Sequence, residues 1–289
     1  MLPSTLRSQL EFDVGCPVLE VVPVAGGDIS KAFRVQCATG RRVFMKYSSD
    51  TEASDIFRAE SLGLALLGAS GVINVPKVLK HGSDNAGNAY ILQEFVENGK
   101  PTPLFWEQFG TALANLHGNT SAFFGFSHDN YIGRLKQTNK RLTRWSDFYA
   151  SQRLVPQMER AVQSGAMNKA DARLLDGLCR RLNNLCPQEL PALIHGDLWS
   201  GNFICDTSGR PVLIDPSASF SHREMDLAMA HLFGGFHKRF FESYAENWPL
   251  EPGFTERINV YQLYYLLVHV NHFGGSYITD ARAVLQKWS

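Results

Sequence analysis

What this sequence has little of narrows its function before any motif is read. Lys and Arg number 28 and Asp and Glu number 28 in 289 residues, so no net charge draws the chain to nucleic acid or to an anionic membrane surface. Long hydrophobic runs are missing. The most apolar late stretch, Leu263 to Val270, is too short to span a bilayer and is expected to form a buried helix. Met1 to Phe12 mixes Arg, Gln and Glu with Leu and lacks the apolar segment of an export signal, so a cytoplasmic location is expected. Cysteine is scarce and odd in number: Cys16, Cys37, Cys179, Cys186 and Cys205, none in Cys-x-x-Cys spacing. That argues against a disulfide framework or a zinc site and for reduced thiols. No repeat or low-complexity run is present.

What is there is an ordinary globular balance, 44% hydrophobic and 19% charged, enough for a sizeable core. The first third is rich in strand signals: Val21 to Val24, Phe33 to Cys37, Val43 to Tyr47, Val75 to His81 and Ala89 to Phe95, separated by turn formers. One helix is predicted among them, from Ser54 to about Gly68, with Phe57, Leu64 and Leu67 on one face. Residues 97–101 read as a linker. Helices are predicted after it over Phe105 to His117, Arg144 to Ser164, Lys169 to Leu185, Arg223 to Glu246 and Phe254 to Phe273, with a strand-loop-hairpin segment at Ala192 to Asp215. The expected class is α+β and bilobal: residues 1–96 a small antiparallel-sheet lobe with one helix, residues 97–289 a larger, mainly helical lobe. This is the order of a protein-kinase-like fold, and a fold alone does not give a function.

The densest chemical signal is His195-Gly196-Asp197-Leu198-Trp199-Ser200-Gly201-Asn202, following the apolar strand Ala192-Leu193-Ile194. A hairpin turning midway between Ser208 and Gly209 would set position 202 opposite 215. Asn202 and Asp215 would then converge as oxygen ligands suited to Mg²⁺. Asp197, on a loop leaving a strand, is a candidate acceptor for a hydroxyl proton. His-x-Asp, four residues, then Asn is the spacing of the kinase catalytic loop, although the following Asp-Phe-Gly element reads Asp215-Pro216-Ser217 here.

Lys46 shares a strand face with Phe44 and is a candidate for nucleotide phosphates, or else an edge lysine reaching solvent. Glu60 shifts the balance toward the first. It falls on the apolar face of its helix, between Phe57 and Leu64, where a carboxylate needs a partner, and Lys46 is the natural one. Gly26-Gly27-Asp28-Ile29-Ser30 lies between two strands, either as a phosphate loop of close-approaching amides or as a plain hairpin turn. The segment is neither a Walker A nor a G-x-G-x-x-G motif. Gln93, Glu94 and Phe95 join the lobes, where backbone groups could hold adenine.

On these residues the chain resembles the fructosamine kinase family, within the aminoglycoside/choline kinase-like group. The motifs carrying the resemblance are HGDLWSGN at His195 to Asn202 and Asp215-Pro216 with Phe220. EMDLAMAHLFGGF at Glu224 to Phe236, Tyr261-Gln262-Leu263 and Asn271-His272-Phe273-Gly274 add to it. Phe124-Gly125-Phe126 through Asp129-Asn130-Tyr131-Ile132-Gly133 and Trp145 to Met158 extend the likeness over almost the whole chain.

The resemblance implies Asp197 as general base, Asn202 and Asp215 as magnesium ligands, and Lys46, oriented by Glu60, on the ATP phosphates. It also implies a sugar site shaped by Trp199 and His269 with Asn271 and His272, although packing and capping roles stay open for these four. The implied reaction is ATP- and Mg²⁺-dependent phosphorylation of a ketosamine at the third sugar carbon, after which the product decomposes and frees the amine. The implied partner is a small-molecule or glycated-amine substrate, with no nucleic acid and no membrane. A kinase of another small alcohol or an aminoglycoside would use the same residues, and a non-catalytic nucleotide-binding module is the reading from another class. A protein kinase is not expected, because no A-P-E element follows Asp215.

Overall fold

The structure, a computed structural model, describes residues 2–24 and 30–289. It divides into two compact units: Met1–Phe105 with Gly201–Pro216, and Trp106–Ser200 with Ser217–Ser289. Among the described residues no helix is long and apolar enough to cross a membrane.

The first unit is built on a sheet whose alternation sorts its two faces. Helix α1 (Ser4–Val14) is followed by β1 (Val18–Val24), β2 (Lys31–Cys37), β3 (Arg42–Ser48), helix α2 (Ala53–Ala69), β4 (Val78–Ser83) and β5 (Ala89–Glu94). Neighbours are antiparallel in the order β1-β2-β3-β5-β4. Successive side chains of a strand point to opposite faces. Val43, Met45 and Tyr47 of β3 and Tyr90 and Leu92 of β5 therefore share one face, against which Leu6 and Leu10 of α1 pack. Ala89 and Ile91 take the other face with Ala53 and Phe57 of α2.

The sequence pattern predicts one helix here and the structure has two. In α1 only Leu6 and Leu10 are buried, too few for an apolar stripe. Its Phe12 is 82% exposed. Gly15, with φ of 72°, ends α1 in the left-handed conformation and returns its N–H to the Glu11 carbonyl.

The chain continues through α3 (Pro103–His117), the short pair β6 (Asn130–Ile132) and β7 (Leu135–Gln137), α4 (Trp145–Phe148), a π-helical stretch Tyr149–Leu154, α5 (Val155–Gln163) and α6 (Lys169–Leu185). Then come β8 (Ala192–Ile194), the hairpin β9 (Phe203–Cys205) and β10 (Pro211–Leu213), β11 (Ser219–Ser221), α7 (Glu224–Phe233), α8 (Lys238–Asn247), α9 (Phe254–Phe273) and α10 (Ser276–Trp288). The single helix predicted over Arg223 to Glu246 is thus two, broken where Gly234 and Gly235 take φ of 69° and 85°. Leu263 to Val270 lies inside α9, whose side chains are buried nearly all round.

The β9–β10 hairpin corrects one expectation. Cys205 pairs with Pro211 and Phe203 with Leu213, so the turn centres on Ser208, and the Asn202 carbonyl accepts from the Ile214 N–H at 3.0 Å. Position 202 therefore faces 214, not 215. The cause is the Asp206 side chain, whose Oδ1 accepts from the N–H groups of both Ser208 and Arg210 and closes an odd-numbered loop.

Because α1 rests on two leucines, Leu10→Ala should cost about 2–5 kcal/mol of unfolding free energy. Phe12→Ala on the same helix should stay within about 0.5 kcal/mol of the parent. Urea unfolding of both variants checks the contrast.

Candidate active site

In the first unit the site begins with a buried ammonium. β3 directs Lys46 to the α2 side of the sheet, and the residue is 7% exposed. Its Nζ donates to Glu60 Oε1 at 2.9 Å, and a second ion pair runs to Asp215 Oδ1. Burial alone would pull the lysine down, but Asp215 and then Glu60 outweigh it and hold the ammonium above its ordinary value. Burial pushes the Glu60 carboxyl up, and the Lys46 charge opposes that. Gln93, buried in β5 on the same face, also donates its amide N–H to Glu60 Oε1, at 2.5 Å. Gln93, a candidate for the adenine only through its backbone, thus takes part through its side chain. Its place two residues after Ile91 on an alternating strand is the signal that could have shown it.

Asp215 is the one non-glycine residue among the described residues with a positive φ, 55°. Such a backbone is unfavourable for a side-chain-bearing residue and persists where its surroundings enforce it, commonly at functional sites. Here the enforcement is visible: β10 ends at Leu213, Ile214 bonds back to Asn202, and the next side chain goes to Lys46. Its carboxylate remains 37% exposed. The other expected nucleotide contacts are placed unevenly. Gly26, Gly27, Asp28 and Ile29 lie outside the described residues, and Ser30 is half-buried just before β2. The Glu94 N–H is committed to the Lys77 carbonyl at 2.9 Å, and the Arg42 guanidinium lies 5.4 Å from the centre of the half-buried Phe95 ring.

In the second unit the loop after β8 carries Asp197, and a buried carboxylate holds that loop from beneath. Asp226, fully buried in the first turn of α7, accepts from the His195 N–H at 2.7 Å and the Gly196 N–H at 2.8 Å. His117 Nε2 lies 3.2 Å from the same carboxylate and His117 Nδ1 2.8 Å from the Tyr244 hydroxyl. A carboxylate only accepts, so Nε2 carries a proton and, in the neutral ring, Nδ1 accepts from Tyr244. The α7 N-terminus also favours a negative charge here. Sequence reading missed both Asp226 and His117; an acidic residue inside the apolar run Met225 to Ala230 was the available signal. Gly196 has φ of 83°, and a Cβ on it would lie 2.3 Å from the Ser217 carbonyl oxygen, so the turn admits only glycine.

The expected sugar-site residues occupy varied settings in this unit. Trp199 is 41% exposed. His269 Nδ1 donates to the Tyr265 carbonyl at 2.8 Å, and its ring sits among Phe233, Phe273 and Tyr277. Burial lowers the His269 pKa below the ordinary histidine value, which keeps the imidazole neutral. Asn271 Nδ2 donates to the Gln157 carbonyl and to Gln157 Oε1, tying α9 to α5. A Cβ on Gly133 would fall 2.6 Å from His272 Nε2, so His272 closes against a glycine turn.

An antiparallel sheet with a Lys–Glu–Asp ion network, and a His-Gly-Asp loop pinned by a buried aspartate, define the kinase-like phosphotransferase class. The aminoglycoside phosphotransferase APH(4)-Ia shares the fold, with a TM-score of 0.67 at 19% identity over 98% of both chains in its ternary complex with AMP-PNP and hygromycin B. Within that class the chain belongs to the fructosamine kinase family, whose model matches residues 6–289. A solved Thermobifida fusca structure described as a fructosamine-3-kinase superposes with a TM-score of 0.87 at 37% identity, covering 99% of this chain and 100% of the other. The Mus musculus ketosamine-3-kinase is 31% identical, covering 98% of this chain and 100% of its own. A probable ketoamine kinase of Enterococcus faecium is 38% identical, covering 93% and 95%.

Asp226→Asn keeps the shape but leaves one carbonyl oxygen where two loop N–H groups are now accepted by a charge. Hydrogen bonds to charged groups contribute about 1.5–3 kcal/mol each, so kcat should fall roughly 10- to 100-fold. The KM for ATP should move less than about threefold, since no Lys46 contact changes. Steady-state kinetics at matched folded fraction checks the split.

Proposed function

We propose that this chain transfers the terminal phosphoryl group of ATP, with Mg²⁺, to a sugar hydroxyl of a ketosamine, at the third sugar carbon, and so initiates release of the amine. The observation that carries this reading is the ammonium of Lys46 held out of water by Glu60 and Asp215, beside a strained, partly open carboxylate. Lys46 takes the nucleotide phosphates, and Glu60, braced by Gln93, keeps its Nζ fixed, so little reorganisation is needed when charge moves.

Asp215 and Asn202 offer oxygen donors only. This suits Mg²⁺, which keeps waters and draws further ligands from nucleotide phosphates, and it agrees with the lack, among the described residues, of any cluster of three or more His, Cys, Asp or Glu. When bound, the metal supplies neutralisation of phosphate charge. Asp197, half-exposed and held by a loop whose amides are fixed on Asp226, orients the acceptor hydroxyl and takes its proton. The neutral imidazole of His269 and the exposed indole of Trp199 bind the sugar through a lone-pair acceptor and an apolar face. The relatives named ketosamine-3-kinase and protein-ribulosamine 3-kinase, the latter 33% identical over 93% of this chain, support a ketosamine acceptor.

Asp197→Ala should lower kcat by about 10²-fold or more, the range of a general base, with Mg·ATP affinity kept within a few-fold. A phosphate-transfer panel of ribulosamine, fructosamine, choline and kanamycin reads the acceptor class, with turnover expected on the first two. Wild-type turnover in Asp197→Ala would remove that residue from the reaction. Turnover confined to choline or kanamycin would replace the ketosamine reading.

A further inference from the structure

Two residues beyond Asp215 in the chain, the segment Ser217–Ser219 runs through the interior of the second unit, held by side chains to which the proposed chemistry gives no role. Asn130 Nδ2 donates to the Ala218 carbonyl at 2.9 Å, and Gln137 and Asn139 each donate to Asn130 Oδ1 at 2.8 Å. Behind them stands Arg153, 3% exposed. Its guanidinium donates to the Thr138 carbonyl at 2.6 Å, to Asn139 Oδ1 at 2.7 Å and to Ser219 Oγ at 3.4 Å. The Tyr264 hydroxyl completes the network on Gln137 Oε1.

A guanidinium buried this deeply normally meets a carboxylate. Among the described residues this one is met by neutral oxygens and by the Phe148 ring, 4.6 Å from its centre. Burial accordingly pulls it below the ordinary arginine value. An apolar side chain would fill the space at lower desolvation cost, so stability alone does not explain the choice. A fully satisfied polar network instead specifies one geometry. Arg153 reaches it from the π-helical stretch Tyr149–Leu154, a backbone departure that recurs at functional sites.

The geometry being specified lies next to the catalytic loop. The Ser217 carbonyl sits where a Gly196 side chain would be, 2.3 Å from the Cβ position, and Ser219 pairs with Ile194 at the end of β8. Gly196 immediately precedes Asp197. We propose that Arg153 is a positioning residue for phosphoryl transfer: through Asn139, Asn130 and Ser219 it fixes the Ser217–Ser219 backbone against Gly196 and thereby sets the placement of the Asp197 carboxylate. This rests on the reading of Asp197 as the proton acceptor, and it adds a second anchor for the loop beside Asp226.

The test compares Arg153→Met, of similar reach, with Arg153→Lys, which keeps a donor for Thr138 or Asn139, and Tyr264→Phe, which removes one hydroxyl only. Misplacing a reacting group by about 1 Å can cost about 10²-fold, so Arg153→Met should lose at least about tenfold in kcat with the KM for ATP within about threefold. Arg153→Lys should recover part of that loss, and Tyr264→Phe should lose a smaller factor in the same sense. Hydrogen exchange of the 192–200 backbone provides a readout that needs no substrate: protection there should drop in Arg153→Met while α9 keeps its own. If Arg153→Met fails to fold, Tyr264→Phe carries both measurements. A kcat per folded molecule within twofold of wild type, or unchanged protection at 192–200, overturns the assignment. A wild type that is inactive on ketosamines but turns over another acceptor, with the kcat loss and the exchange effect of Arg153→Met intact, would sink the ketosamine reading and leave the positioning claim standing.

Discussion

An ammonium group taken out of water has to be given negative charge in return, and this requirement on Lys46 organises the first unit. Two carboxylates answer it, one from a helix and one from the end of a hairpin 169 positions away in sequence. Glu60 can do so only because α2 packs its apolar face on the sheet with that carboxylate turned inward, and Gln93 can brace it only because β5 pairs with β3 in one register. Asp215 arrives in a conformation that side-chain-bearing residues avoid. A one-residue slip of β3 would turn Lys46 to the α1 side of the sheet, away from Glu60 and Gln93.

The second unit solves a related problem with the opposite sign. Asp226 is a buried negative charge, compensated by two loop amides, an imidazole and a helix N-terminus. Burying that group makes the loop geometry expensive to change, which is what the proposed role of Asp197 as proton acceptor requires. The Asn130–Asn139–Arg153 network applies the same logic with neutral oxygens. Each device gives up some stability that apolar packing would supply and gains a single backbone arrangement around Gly196.

Much of this was legible in the sequence because it rests on local period. Strand alternation placed Lys46 on a face with Phe44, and helical spacing placed Glu60 between Phe57 and Leu64, so their pairing could be read without coordinates. The helices at Lys169–Leu185 and Phe254–Phe273 have the bounds expected of them. Other features depend on contacts between distant segments and leave little local trace. α1 buries two leucines and shows no stripe. The hairpin register turned on whether the Asp206 side chain would close the loop. Asp226, His117 and Arg153 look, in sequence, like polar residues in or beside helices, and only the tertiary structure shows what they hold. Asn271, which the family motif marks for the sugar site, has its amide N–H groups bound to Gln157, and its Oδ1 has no hydrogen-bond partner among the described residues.

The central claim is that the Lys46 ammonium, poised by Glu60 and Asp215, is the phosphate-binding charge for a magnesium-bound nucleotide. Calorimetric titration of Mg·ATP into wild-type protein and into Lys46→Met tests it most directly. The account predicts saturable one-to-one binding by the wild type and at least about tenfold weaker binding by the variant, the scale of one charge-assisted contact. Equal affinities in two equally folded proteins would contradict it.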